Sequence, residues 1–565
     1  MNEMKIPVGS SDFSEYRKQG YYYIDKTGLI CELLKTTATK VTLITRPRRF
    51  GKTLNMSMLS CFFDIREKSS SLFRGLEISR HKELCRQWMN QYPTVFVTFK
   101  TVDGRNYDEA YAMLCAVISA VCIEHYGILK DETLNPVQKN IFRRLAEKTA
   151  SLEEVKNSLS LITQMLHAHY KKPVVLLIDE YDVPLAKASA KGFYDDMLDA
   201  VKGLLQAVKD NPSLRCAVIT GCLRIAKESI FTGTNNFVSD TITDTRLNEY
   251  FGFTQQDVDR LLTSAGLDAH AGDIKTWYNG YSFGEFNIYC PWDVMNHVNA
   301  LLLNPDAKPK GYWKNTSDNA IIRTFIEHSG SDITQKFEKL LAGGVIVQKI
   351  SEDMTYDFLR SSEENLWSIL YLTGYLTRAG ESEHPKSSLL PYGTFALKIP
   401  NAEIMEIFET TVAAWFEENA RTWNRSKLFR AVWERDVACI ESEMTRLLRK
   451  TISYHDYSEN YYHAFLAGIF AGAGYQVESN KEHGEGRSDI IVKDYTKDQV
   501  AVFEAKYSKS IDRLQKDCES ALAQIDERMY AEEFSDDYKD TVCYGIAFYK
   551  KRCKILTKSK GTFSL

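Results

Sequence analysis

No CxxC pair occurs anywhere in this 565-residue sequence, although it holds 12 cysteines. Their scatter argues against zinc knuckles and a disulfide framework, and it reads as reduced, buried thiols in a cytoplasmic protein. No apolar run is long enough to span a bilayer. The start, MNEMKIPVGSSDF, lacks the basic-then-apolar order of a secretion signal. Neither sign of charge dominates: 71 Lys and Arg face 75 Asp and Glu, for a net charge of -4. A dedicated nucleic-acid coat protein is more basic than this, so any contact with nucleic acid must come from a local patch or groove. Internal repeats and low-complexity segments are missing as well. What remains is the composition of a globular protein, 44% hydrophobic and 26% charged. The length suggests about three units of ordinary domain size.

The first informative stretch is Val41–Thr45, VTLIT, a short apolar run of the kind that forms a buried parallel strand. Arg46-Pro47-Arg48-Arg49-Phe50-Gly51-Lys52-Thr53 follows at once, and then a helical pattern, LNMSMLSCFFD. Strand, tight turn with Gly-Lys-Thr and helix is the setting of a phosphate-binding loop. Backbone N–H groups at the helix start face the phosphates, the lysine neutralises the terminal ones, and the threonine hydroxyl holds Mg²⁺. In the usual GxxxxGK[ST] spacing the first glycine falls on Arg46. The strict pattern is therefore incomplete, and on this motif alone a chance coincidence stays open.

A second buried-type strand, Pro173–Ile178, ends in Asp179-Glu180-Tyr181-Asp182. In P-loop ATPases with an additional strand, an aspartate here orders Mg²⁺ and the adjacent glutamate polarises the attacking water. The plain alternative is a solvated strand end or a helix cap. A third strand, Leu214–Gly221, places Thr220 near its end, where a polar side chain would sense the γ-phosphate. Arg224 just beyond is a candidate charge sensor or inter-subunit finger, or a surface arginine. With Thr94–Phe99 as a further strand, the order fits a doubly wound parallel sheet with ligand at the strands' C-terminal ends.

The strings KIPVGSSDFSEYRKQGYYYIDKTGLICELL, RPRRFGKT, LLIDEYDVPL and ITGCLRIAKESIFTGTNNF resemble the bacterial AAA-ATPase-like family over roughly the first half of the chain. The resemblance implies ATP with Mg²⁺, held by Arg48, Arg49, Phe50, Gly51, Lys52, Thr53, Asp179, Thr220 and Arg224, with Glu180 catalytic. It makes the missing glycine a family trait, and it implies that Tyr23-Ile24-Asp25-Lys26 lies near the base and ribose. AAA relatives assemble as rings, so a homo-oligomer is an expectation of the same kind.

The middle of the chain, from Thr243 to about Thr451, is mainly helical in pattern, with aromatic-rich insertions at Trp277-Tyr278-Asn279-Gly280-Tyr281 and Pro291-Trp292-Asp293. The first is similar to the same family's WYNGY signature. These aromatics read as packing between the ATPase core and a helical lid, with ligand stacking as the alternative. Leu366–Thr377 followed by Leu397–Asn401 looks like the tail of a winged-helix unit, without a basic recognition helix.

Near the C-terminus a helical run, YYHAFLAGIFAGAGYQV, precedes two short strands joined by a turn, Asp489–Val492 and Val500–Lys506. Glu504 and Lys506, two apart on a strand, emerge on one face, and Asp489 starts the partner strand. Two acids and a lysine converging there describe a hydrolytic Mg²⁺ or Mn²⁺ site, with the carbonyl of Ala505 as a further ligand. A solvent-facing charge pair is the alternative.

The pattern SD…EAK resembles the PD-(D/E)XK nuclease superfamily, in the version fused behind AAA-like ATPases. That resemblance implies Asp489, Glu504 and Ala505 as metal ligands, Lys506 as catalytic, and Gln524 aimed at the site from helix Ser520–Tyr530. Lys550, Lys551, Arg552 and Lys554 trail the final strand as a basic cluster for phosphates or a solubilising edge. Ser488 stands where the family often has proline. Asn480 stands where relatives often have a glutamate, with Glu478 or Glu482 as substitutes. His463 on the preceding helix reads as a packed core residue or a site neighbour.

Together these readings predict an α/β chain. Residues 1–250 would be an AAA-like P-loop ATPase with a parallel sheet, 251–450 a helical, winged-helix-like middle region, and 451–565 a restriction-endonuclease-like α/β domain. ATP and Mg²⁺ are the expected cofactors, DNA the expected partner more than RNA, and no membrane is involved. A nucleotide-dependent switch that binds without cutting is the rival. A helicase-like motor lacks motifs beyond the two Walker elements.

Overall fold

The computed structural model describes residues 4–35, 39–225, 237–313, 336–337, 339–354, 363–384, 390–420, 426–451, 459–471, 475–483, 486–527, 534, 537–550 and 552–559. The chain forms two compact units, one of residues 1–312, 348–378 and 391–395, the other of 313–347, 379–390 and 396–565.

The first unit is built on β1 (Val41–Thr45), β2 (Thr94–Thr98), β3 (Val174–Asp179), β4 (Leu214–Gly221) and β5 (Phe237–Asp240). They form one sheet in the order β2-β3-β4-β1-β5, with every pair parallel. Strand β4 thus lies between β1 and β3, the additional-strand arrangement the motifs imply. All residues of β1 and β3 are buried, as both faces of a parallel sheet must be when helices cover them. Among the covering helices are α1 (Lys52–Phe63), α2 (Tyr107–Glu124) and α3 (Ser158–Tyr170), and α4 (Val183–Lys191) follows β3. Met56, Leu59 and Phe62 of α1 pack with Ile44, Val175 and Leu177 of the sheet in one apolar core.

Beyond the sheet, α5 (Gln255–Ala265), α6 (Ala271–Tyr278), the hairpin β6 (Tyr281–Phe283)–β7 (Phe286–Ile288) and α7 (Pro291–Leu303) follow. Helix α5 opens with a capping box, Thr254 and Asp257 satisfying each other's backbone N–H, and Gly266 in the left-handed region closes it. Val258, Leu262, Ile274, Tyr278, Val294 and Val298 form a second apolar core. A helix over Glu363–Leu372 and short strands at Thr377–Arg378 and Thr394–Lys398 occupy the stretch read as helix and hairpin.

In the second unit α8 (Ala402–Ala420), α9 (Ser426–Glu434), α10 (Val437–Thr451) and α11 (Glu459–Ala471) precede a mixed sheet. Its strands are β8 (Gln476–His483), β9 (Gly486–Asp494), β10 (Gln499–Tyr507), β11 (Asp540–Tyr549) and β12 (Arg552–Ser559), in sequence order. The strands β8, β9 and β10 run as an antiparallel meander, β10 and β11 are parallel, and β12 returns antiparallel. A parallel step needs a crossover, and helix α12 (Leu514–Glu527) supplies it. Period-2 alternation sorts the faces: Val500 and Val502 pack with Ile525 of α12, whereas Phe503 meets Phe470 of α11 at 5.0 Å.

Two histidines of the first unit are buried. Burial, with Arg66 nearby, pushes His125 down to about 3, and burial pushes His297 down to about 4. Neither ring has a hydrogen-bond partner among the described residues. Both stay neutral in the fold but take up a proton once unfolded below their ordinary value near 6.5. Stability from these sites is therefore complete above that pH and falls as the pH drops toward the folded values, by roughly 1.4 kcal/mol per pH unit for each ring. Thermal midpoints measured at pH 7.5 and pH 5 should differ less in His125→Leu than in the wild type; an unchanged difference would show that this ring does not set the acid sensitivity.

Candidate functional site

The loop between β1 and α1 is held by packing rather than by a run of glycines. Phe50 is fully buried, with Tyr281 at 4.9 Å and Phe283 at 5.0 Å. The WYNGY segment thus supplies an aromatic seat for the loop tip. Arg49 adopts φ 73°, donates to the carbonyl of Tyr312 at 3.2 Å and lies over the ring of Trp292 at 5.2 Å. Arg48 is half-buried. Gly51, at φ 82°, heads α1; no side chain caps the helix among the described residues, and a Cβ at Gly51 would meet nothing within 4 Å. The first-turn N–H groups of α1 are thus available to an anion approaching the backbone.

Arg46 accounts for the missing first glycine. Its backbone is not among the positive-φ positions, so the turn does not require glycine there. Its side chain is fully buried and points into the protein. It donates to Asp240 Oδ1 at 2.6 Å, to the Asp240 carbonyl at 2.9 Å and to Asn248 Oδ1 at 2.9 Å, with its guanidinium 5.3 Å from the Phe251 ring. Asp240 ends β5, paired with Ile44 of β1. The arginine therefore ties the start of the loop to the neighbouring strand.

At the strand ends, the Asp179 carboxylate accepts from Thr53 at 2.9 Å, from Thr98 at 3.1 Å and from Thr220 at 2.7 Å. Those hydroxyls come from α1, β2 and β4. Burial, then the neighbouring Glu180, raises the Asp179 pKa, while the Thr220 and Thr53 hydroxyls and Lys52 oppose the rise. Lys52 is buried and donates to the carbonyls of Arg46 and Pro47 at 3.0 Å each. Its ammonium lies 3.4 Å from Glu180 Oε1 and 3.6 Å from Cys222 Sγ. Burial alone would lower its pKa, but Cys222, Glu180, Asp182 and Asp179 outweigh that and raise it. A buried hydroxyl–carboxylate pair beside a lysine is a hard-oxygen set that fits Mg²⁺, and the open, backbone-lined face at Gly51 fits a phosphate chain.

Of the other residues read from the sequence, Arg224 lies with Ile225 in a short strand paired with Asp353–Met354. Lys26 is tied to Asp257 Oδ2 and the Glu249 carbonyl, each at 2.7 Å. Asp25 accepts from Thr27 and from the Glu77 N–H, and Tyr23 packs edge-on against Phe13 at 5.3 Å. Thr98 and Cys222 were not singled out from the sequence. Thr98 ends an apolar strand opposite Asp179, a relation visible only once the strand order is known.

In the second unit Glu504 is buried at the C-terminal part of β10. Gln524 of α12 bridges the pair: its amide N–H donates to Glu504 Oε1, while its carbonyl oxygen accepts from Lys506 Nζ at 2.8 Å. The amide fixes a carboxylate and an ammonium at once. Ala505, between them, is buried in the ladder with β11. The last β9–β10 pair is Ile490↔Phe503, so Asp489 and Glu504 each stand one residue past it. The Asp489 side chain lies outside the described residues. Asn480 falls at the register position across from Asp489, between the pairs Ser479↔Ile490 and Lys481↔Ser488. Glu478 is engaged with Lys493 at 3.2 Å, and the side chain of Glu482 lies outside the described residues. His463 Nδ1 is 3.3 Å from Ser479 Oγ. Lys554 pairs with Glu441 at 2.9 Å, Lys550 sits over the Tyr549 ring, Arg552 is exposed, and Lys551 lies outside the described residues. The buried carboxylate of Glu504, a hard oxygen donor, fits a divalent cation beside Lys506.

Residues 7–231 match the family model described as "Predicted AAA-ATPase", and residues 457–558 match that of the PD-(D/E)XK nuclease superfamily. The chain therefore carries an AAA-ATPase-like domain and a PD-(D/E)XK superfamily domain. It is 24% identical over 550 residues to an Azotobacter chroococcum mcd 1 protein described as "Uncharacterized protein in vnfD 5'region", covering 94% of each chain. No helix among the described residues is long and apolar enough to cross a membrane.

If Arg46 is a structural tie, writing the consensus glycine into the loop should harm the protein. Arg46→Gly leaves the buried Asp240 carboxylate only the longer contact with Arg246 at 3.6 Å, a loss of at most about 3–5 kcal/mol, and differential scanning calorimetry should show the lower melting temperature. Adding Asp240→Asn should recover part of it. An Arg46→Gly protein as stable as the wild type would refute the tie.

Proposed function

We propose that this chain binds and hydrolyses ATP at the loop between β1 and α1, and that its nucleotide state controls Mg²⁺-dependent cleavage of DNA phosphodiesters in the second unit. The observation that carries this reading is the pairing on one chain of two charge sets: Lys52, Thr53, Asp179 and Glu180 gathered where the interior strands of one sheet end, and Glu504, Gln524 and Lys506 hydrogen-bonded together beside the other. Lys52 neutralises the terminal phosphates, with Arg48, Arg49, Phe50 and Gly51 shaping the loop around them. Thr53 and Asp179 hold the cation, Glu180 takes the proton of the attacking water, and Thr220 orients the γ-phosphate. Arg224 serves as a charge sensor, supplied across a subunit interface if the chain assembles as a homo-oligomer.

In the nuclease domain Asp489, Glu504 and the Ala505 carbonyl hold Mg²⁺, for which Mn²⁺ can substitute. When bound, the metal lowers the pKa of its water and neutralises developing phosphate charge. Lys506 orients that water and steadies the charge on the phosphate, and Gln524 keeps Lys506 and Glu504 in register. Twelve cysteines, none in a disulfide among the described residues, suit the cytoplasm.

A second reading, a nucleotide-dependent switch whose nuclease-like domain binds nucleic acid or a protein without cutting, is favoured by one observation. Asn480, a neutral amide, occupies the register position across from Asp489, where a carboxylate would strengthen metal binding.

Linear, circular and single-stranded DNA should be incubated with Mg²⁺ or Mn²⁺, with and without ATP, beside Lys52→Ala and Glu504→Ala. ATP-sensitive cutting lost in both variants is the expected result. Cutting lost only in Glu504→Ala would mean two uncoupled sites, and a wild type that turns over ATP but never cuts would favour the switch.

A further inference from the structure

We propose that Tyr181 and Asp182 are positioning residues, a clamp that holds Glu180 in a left-handed backbone conformation and ties it to the segment after β4, a role that rests on the ATPase reading above. Glu180 has φ 54°, a region that a non-glycine residue keeps only where its surroundings over-determine it. The two residues that follow supply that constraint.

The Tyr181 N–H donates to the Thr220 carbonyl at 3.0 Å. Its hydroxyl donates to the Leu223 carbonyl at 2.8 Å and accepts from the Ile225 N–H at 2.9 Å. Asp182 Oδ2 accepts from the N–H groups of Cys222 at 2.9 Å and Leu223 at 3.0 Å. Both side chains are almost wholly buried, at 0% and 1% exposure. The fit is close: a Cβ at Gly221 would stand 2.7 Å from Asp182 Oδ1 and 2.7 Å from the Tyr181 ring. Glycine at 221 is therefore what lets the two strand ends approach.

The stretch so gripped carries Thr220, whose hydroxyl reaches Asp179, and Cys222, whose sulfur lies beside Lys52. It continues into Arg224 and Ile225, which pair with Asp353–Met354. Polar groups at the ends of β3 and β4 are thus fastened into one rigid body, and Glu180 faces Lys52 because its neighbours cannot rotate. In this reading the first two residues of Asp179-Glu180-Tyr181-Asp182 meet the nucleotide and the last two fix where the second of them points. The Asp182 carboxylate acts by the geometry of its oxygen, not by its charge.

Steady-state ATP turnover and amide hydrogen exchange on the full chain test this, with Tyr181→Phe, Asp182→Ala and Asp182→Asn. Tyr181→Phe and Asp182→Ala should lower kcat by about ten- to a hundredfold with KM for ATP within about twofold, as for a misplaced catalytic group. Exchange should quicken at Cys222, Leu223 and Ile225 while β3 stays protected. Asp182→Asn, which keeps an oxygen at the place of Oδ2, should recover most of the turnover that Asp182→Ala loses. Wild-type kcat in Tyr181→Phe would overturn the clamp. So would an Asp182→Asn variant as slow as Asp182→Ala with its amides still protected, since charge would then be what matters. Should Asp182→Ala fail to fold, Tyr181→Phe, which removes a single hydroxyl, decides. A wild type without ATP turnover would sink the ATPase reading, while exchange at 222–225 would still judge the clamp.

Discussion

Asp179 is a carboxylate buried at the end of an apolar strand, and the organisation of the first unit turns on satisfying it. A buried acid must be neutralised, paired or hydrogen-bonded. Here the bonds come from three threonine hydroxyls on three separate elements. Each donor requires its own strand or helix to end at the right height, so strand order β2-β3-β4, the register Thr98↔Asp179 and the start of α1 all converge on that one group. Burial and then the neighbouring Glu180 raise its pKa against the pull of the Thr220 and Thr53 hydroxyls and Lys52, and its oxygens suit a hard cation.

The same logic explains why the phosphate loop tolerates an arginine in place of its first glycine. Glycine is needed where φ is positive or where a backbone must come close; in this loop those demands fall on Arg49 and Gly51. Position 46 instead faces the interior, and a buried guanidinium there is stable only with a fixed acid beside it. Asp240 and Asn248 provide the acceptors, and the aromatic seat under Phe50 holds the other end of the loop. The loop is therefore shaped by its anchors, and its helix-terminal amides are left to a ligand.

The second unit solves a different problem with one amide. An acid and a lysine two residues apart on a strand would pair with each other or with solvent. Gln524 intervenes between them, giving a hydrogen to Glu504 and accepting one from Lys506. The crossover helix that the parallel β10–β11 step demands is the element that carries it, so the topology of the sheet and the chemistry on its central strand share one helix. Ile525, next to Gln524, packs on Val500 and Val502 and sets the rotation of the helix that aims the amide.

Much of this was legible in the sequence where a residue's role is local. The apolar runs of β1, β3 and β4, the Gly-Lys-Thr turn before a helix, the two acids closing β3, and the alternation that places Glu504 and Lys506 on one face all follow from short-range periodicity and backbone geometry. The resemblance added Gln524, which local spacing does not reach. Other features depend on contacts between residues far apart in the chain: Arg46 with Asp240, Phe50 with Tyr281, Thr98 with Asp179, and Tyr181 with Leu223 and Ile225. A sequence read by itself determines which stretches become buried strands and amphipathic helices, because those depend on neighbours one to four residues away. Which strand lies beside which, and hence which polar side chains share one buried acid, was decided only by tertiary packing, since a parallel sheet orders its strands through crossovers whose course no local pattern encodes.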